Sequence, residues 1–265
     1  MKNLLLLFSM TIFASCSSSD DINSELEENQ NNTEEDVLLL SKMIEKDEIY
    51  NDNVYHNFIY ENGLLTKTTV STFGNDYSIF EYDEDGKINN VKRYGINYSA
   101  DKEQLWEEIT IEREGNQIIR HSLNEGVLIT YTLNSDDQVI KRECETCETL
   151  IFEYRDRKIS KQTVISNDGS FAGENSYEYD SGKNPINILF KEFRFLENNK
   201  TNFLDNTMEF YLTNLVTKEY DEDGNVKFSA TYEKNEFDYP TTAYWQAPMK
   251  GESGTIKFEY IKKTD

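Results

Sequence analysis

Positive charge is scarce in this chain: 27 Lys and Arg stand against 50 Asp and Glu, a formal charge of −23 over 265 residues. That excess repels phosphate backbones and anionic headgroups, which excludes nucleic acid as a partner and excludes membrane docking through a basic patch. There are only two histidines, His56 and His121, and neither has a Ser or Cys partner in a recognisable nucleophile motif. A glycine-rich phosphate loop is absent as well. Cysteines number three: Cys16, Cys144 and Cys147. Aromatic residues, by contrast, make up 13% of the chain. Acidic disordered chains are usually poor in Tyr and Phe, so the composition predicts a folded body, and the length allows one or two domains.

The first 15 residues predict a signal peptide. Lys2 supplies the positive start, and Leu4 to Phe8 with Met10 to Ala14 form a short apolar region. That region is too short to span a hydrocarbon core of about 30 Å. It ends in Phe13-Ala14-Ser15-Cys16, and small residues before a Cys resemble the bacterial lipobox. The resemblance implies that the Cys16 thiol is acylated and becomes the first residue of the mature protein. Two or three acyl chains anchor firmly where one is marginal. Ser17-Ser18-Ser19-Asp20-Asp21 resembles the Ser-Asp-Asp export signal of surface lipoproteins in the Bacteroidota, which implies an outer-membrane lipoprotein facing the cell exterior. As a generic spacer the same residues would leave it facing the periplasm. Residues 16–36 are polar and acidic and predict a flexible tether ahead of a single domain over 37–265.

That domain is self-similar. Tyr-Asp-Glu-Asp-Gly occurs unchanged at Tyr82–Gly86 and at Tyr220–Gly224. Looser copies begin at Tyr60, Ile111, Leu133, Tyr154 and Tyr179, and the first six copies recur every 21–29 residues. Before each turn the residues alternate, as in Phe80-Glu81-Tyr82 and Phe152-Glu153-Tyr154, the two-residue period of a strand with one buried face. The Asp or Asn then offers its side chain to the backbone, and the Gly accepts the positive φ of a short loop. Asn124-Glu125-Gly126 and Asn167-Asp168-Gly169 are further hairpin signals. Consecutive hairpins predict an all-β fold, a curved antiparallel meander sheet. Val37–Glu45 fits helical spacing, but Leu40-Ser41-Lys42 matches the post-turn triplets Leu65-Thr66-Lys67 and Ile159-Ser160-Lys161, which favours a first strand.

The pattern breaks between Asn184 and Leu215, where a crossover or short helical insert is expected to cover one sheet face. A second irregular insert is expected at Asp238–Ser253, before a closing strand at Thr255–Ile261. The Tyr-Asp-x-x-Gly turns resemble the YD repeats of RHS-type bacterial surface and toxin proteins, although these continue as Gly-Lys-Ile and Gly-Asn-Val rather than Gly-Arg-Leu. The longer layout resembles a group of uncharacterised Bacteroidota lipoproteins: Tyr179-Asp180, Asn184-Pro185, Asn214-Leu215-Val216-Thr217 and then Tyr220–Gly224. The resemblance implies architecture and brings no site residues or cofactor with it.

Cys144-Glu145-Thr146-Cys147 lies between strand-like segments, so a structural disulfide is expected across a tight turn outside the cytoplasm, with free thiols or a redox or metal role as alternatives. The acidic turns also admit a calcium reading through Asp83, Asp85, Asp221 and Asp223, but calcium needs six to eight oxygens and one turn falls short of that. No cofactor is expected. Trp106, Tyr244 and Trp245 are the binding candidates, since surface aromatics suit sugar stacking or protein contacts. The sequence therefore predicts a non-enzymatic, lipid-anchored envelope protein with a protein or glycan partner. The alternative is an envelope hydrolase of polysaccharide, which requires two carboxylates facing each other across a sugar, and nothing marks out such a pair.

Overall fold

A computed structural model describes residues 38–47, 53–71, 76–97, 102–124, 126–185 and 214–263. The described elements are all strands: β1 (Leu38–Asp47), β2 (Asn53–Glu61), β3 (Leu64–Val70), β4 (Asp76–Tyr82), β5 (Ile88–Asn97), β6 (Lys102–Glu114), β7 (Gln117–Ser122) and β8 (Val127–Leu133). They continue as β9 (Val139–Cys144), β10 (Thr149–Arg155), β11 (Lys158–Ile165), β12 (Phe171–Lys183), β13 (Asn214–Tyr220), β14 (Val226–Lys234), β15 (Pro240–Ala247) and β16 (Glu252–Lys262). Each pairs antiparallel with its neighbours in sequence, and β16 pairs with β1 to close a barrel.

The turns follow the chemistry read from the sequence. Asp83 Oδ1 accepts from the backbone N–H of Asp85 and of Lys87, at 3.0 and 2.8 Å, and Gly86 takes φ 74°. Asp221 repeats this with Asp223 and Asn225, as does Asn134 with Asp136 and Gln138. The tightest turns place Asn62-Gly63 and Asp156-Arg157 at positive φ, the geometry that matches the twist of a two-residue hairpin.

One bond recurs around the barrel. Tyr60, Tyr82, Tyr154, Tyr179, Tyr232 and Tyr260 stand near the ends of even-numbered strands and pack against the core. Each donates its hydroxyl to a backbone carbonyl on the preceding strand, of Leu40, Leu65, Val139, Ile159, Val216 and Pro240 respectively, at 2.6–2.8 Å. On β6, Arg113 takes this role and reaches Ile88 O at 3.0 Å; on β8 the position belongs to Leu133. The carbonyl's own strand begins with a bulge. Ser41, Thr66, Ser160 and Thr241 are skipped in the ladders, and their hydroxyls bond the carbonyls of Glu259, Ile59, Glu153 and Glu233.

Two expectations need correction. The sheet is not an open curved meander; it closes on itself, and the described strands leave no free edge. The reason lies in the first triplet. Tyr260 faces Leu40 with Ser41 skipped, just as Tyr60 faces Leu65 with Thr66 skipped and Tyr154 faces Ile159 with Ser160 skipped. The first and last described strands thus meet in hairpin geometry with no turn between them, and the wall hides its own apolar face. The expected cover at 186–213 lies outside the described residues. The second irregular insert is also corrected: Pro240–Ala247 is β15, followed by a turn at Pro248–Gly251.

The tyrosine bonds link hairpin units to one another, so Tyr232→Phe should lower stability by about 1 kcal/mol, because it strips a buried carbonyl of its donor. In thermal unfolding, about 2–4 °C is expected for a domain of this size. Tyr220, whose hydroxyl bonds the exposed Glu178 instead, should tolerate Phe with almost no shift. Equal shifts for the two variants would contradict the role given to the first.

Candidate functional site

The pairing order sorts the loops onto two ends. Turns after even-numbered strands, with both ends of the described barrel, lie at one end, here the tyrosine end; turns after odd-numbered strands lie at the other. The Cys144–Cys147 disulfide closes the β9–β10 turn at this second end, with Cα atoms 5.2 Å apart. The two identical Tyr-Asp-Glu-Asp-Gly turns fall at opposite ends, since Asp83 and Asp85 follow β4 whereas Asp221 and Asp223 follow β13. Their carboxylates cannot pool around one ion. Asp221 is instead held below the usual carboxylate range, chiefly by the Asn225 side-chain amide.

The binding candidates separate too. Trp245 points inward, is 1% exposed and lies 6.4 Å from the Phe228 ring, so it belongs to the core. A Cβ on Gly254 would come within 2.7 Å of Trp245 Nε1, so only glycine lets β16 pass this indole. Tyr244, next in the chain, faces outward at 47% exposure and donates to Glu233 Oε1 at 3.1 Å. Trp106 is equally exposed, but its ring lies over the backbone of Gly95 at a bulge between β5 and β6. It stands seven strands from Tyr244 by the shorter way round the barrel, so the two form no common site.

Inside, the wall is apolar with an enclosed polar patch. Met43, Ile109, Tyr131, Phe228 and Ile256 are among the buried residues of one continuous core. Glu107 is gripped by Arg93 at 2.6 Å and by Arg120 at 3.2 Å, and buried charges persist only with such partners. Gln162 Oε1 accepts from Asn175 Nδ2 and from the Tyr177 hydroxyl. His56 is buried and burial pushes its pKa down to about 4. His121 lies on β7, five strands from His56.

Outside, the polarity is reversed. One row across the wall reads Thr231, Tyr244, Thr255, Lys46 and Asn53; the next reads Glu233, Thr242, Lys257, Ile44 and Tyr55. Sequence reading missed these rows because cross-strand partners are set by bulges and by the β16–β1 seam. Of the ten positions, only Lys46, Lys257 and Glu233 are charged. The opposite wall carries Glu108, Glu143, Glu153, Glu174 and Glu178 outward, interleaved with lysines. There Lys141 pairs with Glu143 at 2.6 Å and Lys161 with Glu174 at 2.5 Å. No described carboxylate lies within 4.0 Å of Lys46 or Lys257.

No family model matches the chain, and no curated protein matches it. Among solved structures it is similar to a porin-like protein from Bacteroides uniformis, at 13% identity and a TM-score of 0.43, over 84% of this chain and 98% of that one. A porin-like protein from Bacteroides vulgatus is similar at 11% identity and a TM-score of 0.40, over 85% and 99% of the two chains. At these values the likeness is one of chain path alone.

His56 gives the barrel a pH dependence. Its folded pKa lies below the ordinary 6.5, so the unfolded chain binds the extra proton first, and stability falls as pH drops from about 6.5 to about 4. Urea unfolding should show a loss of order 2–3 kcal/mol across that window from this group. His56→Leu should flatten that component; an unchanged slope would refute the assignment.

Proposed function

We propose that the protein is a non-enzymatic envelope lipoprotein, anchored to the outer membrane through Cys16, whose barrel stands in water and presents its outer wall to a protein or glycan partner at the cell exterior. The observation behind this reading is the polarity of the wall. A barrel that spans a bilayer turns an apolar band about 25 Å tall outward, and a Lys at the midplane costs it about 2–4 kcal/mol. Here the outward mid-strand positions include Lys92, Lys141, Lys161, Lys218 and Lys257, while the apolar residues fill the interior. Such a wall belongs in water. Attachment to a membrane then needs a separate device, and the acylation motif at Cys16 supplies one.

Residues 17–36 would let the barrel stand away from the headgroups, which also suits a chain of this charge. The disulfide between Cys144 and Cys147 fits an oxidising compartment outside the cytoplasm.

Cells fed an alkyne-tagged palmitate should label the wild-type protein and not Cys16→Ser. The wild type should need detergent for extraction and be digested by protease added to intact cells. Incorporation into Cys16→Ser, or insertion of an unlabelled barrel into liposomes, would refute the anchor. Turnover on a panel of chromogenic glycosides would refute the non-enzymatic reading.

A further inference from the structure

We infer that the outward wall from β14 through β2 is a binding face for an acidic polysaccharide. The inference rests on the display reading above and names its ligand class. In a chain of charge −23 a polyanion is repelled from most of the surface, so any place that accepts one must be locally relieved of carboxylates. This wall is such a place. Its two central rows hold two lysines and one glutamate, and that glutamate, Glu233, accepts the Tyr244 hydroxyl. In the next row the Glu259 carboxylate is offset by Lys42 at 3.7 Å, so the face keeps an excess of positive charge. Lys46 and Lys257 are exposed on the adjacent strands β1 and β16 with no described carboxylate in ion-pair range. Lysines of the opposite wall are matched by glutamates, as Lys141 is by Glu143 and Lys161 by Glu174.

The remaining positions supply what a sugar needs. Tyr244 at 47% and Tyr55 at 37% exposure offer aromatic surface on β15 and β2. Three strand spacings separate them, about 15 Å across the sheet. Threonine hydroxyls and the Asn53 amide lie in the same two rows to exchange hydrogen bonds with sugar hydroxyls. Between the tyrosines, Lys257 and Lys46 stand where carboxylates of a sugar chain crossing the strands would pass, and ammonium–carboxylate hydrogen bonds are stronger than neutral ones.

The mature full-length protein in detergent, titrated calorimetrically with polygalacturonate and with mannan, tests this. Polygalacturonate should bind and mannan should not. Affinity should fall at least tenfold in Lys257→Glu and several-fold in Tyr244→Ala, fall again as salt is raised, and stay unchanged in Trp106→Ala on the other wall. Unaltered thermal unfolding of each variant shows that it is folded. Binding of neither polymer, equal binding of both, or indifference to Lys257→Glu would each overturn the inference and leave anchoring and display untouched. Release of reducing ends would instead overturn the non-enzymatic reading, and the same two variants would still decide whether this face holds the polymer.

Discussion

A hydrogen bond from an inward tyrosine to a carbonyl near the start of the strand before it organises this protein. The carbonyl sits next to a bulged residue that is out of step with the ladder, so the regular pairing is interrupted there. The phenol covers it with apolar ring and supplies the donor, joining one hairpin to the one before. Burial drives several of these hydroxyls to resist ionisation, with Tyr82 pushed up to about 12 and Tyr60, Tyr232 and Tyr260 raised as well, chiefly by desolvation. Arg113 fulfils the same role with a guanidinium. The barrel is thus a ring of similar units, and Tyr260 with Leu40 completes it where the chain has no turn to offer.

Closure decides the polarity. An open sheet would expose its apolar face or need a covering layer, whereas the closed wall packs Met43, Ile109, Phe228 and Ile256 against one another and needs none. Strand alternation then places Lys, Glu, Thr and Tyr on the water side. The consequence for function is that the whole outer wall is free to carry binding chemistry. Its two halves differ: on one, Lys141 and Lys161 pair with glutamates, while on the other Lys42 pairs with Glu259 and Lys46 and Lys257 stand beside tyrosines.

Strand alternation, turn chemistry and the disulfide turn were legible in the sequence because each depends on residues a few positions apart. Asp83 and its Gly86 announce their loop locally. Closure depends on a pairing over 220 residues, between Leu40 and Tyr260, and no local rule states it. The clue was present in Leu40-Ser41-Lys42, a post-turn triplet with no turn before it, which requires a partner from the far end of the chain. The Tyr-Asp signature misled at Tyr220: it marks a turn correctly but at the opposite end from Tyr82, while Tyr232 and Tyr260, which share Tyr82's bond, lack the signature. Trp245 and Tyr244 were inseparable in sequence, and one residue of phase sends the first to the core and the second to solvent.

The seam between β1 and β16 carries the account, and backbone amide exchange measures it directly. Peptides covering Leu38–Asp47 and Glu252–Lys262 should exchange as slowly as those of the β7–β8 hairpin, in one cooperative unit with the rest of the wall. Rapid exchange of both segments, with protection confined to β2–β15, would mean that the sheet has free edges and that the barrel is not closed.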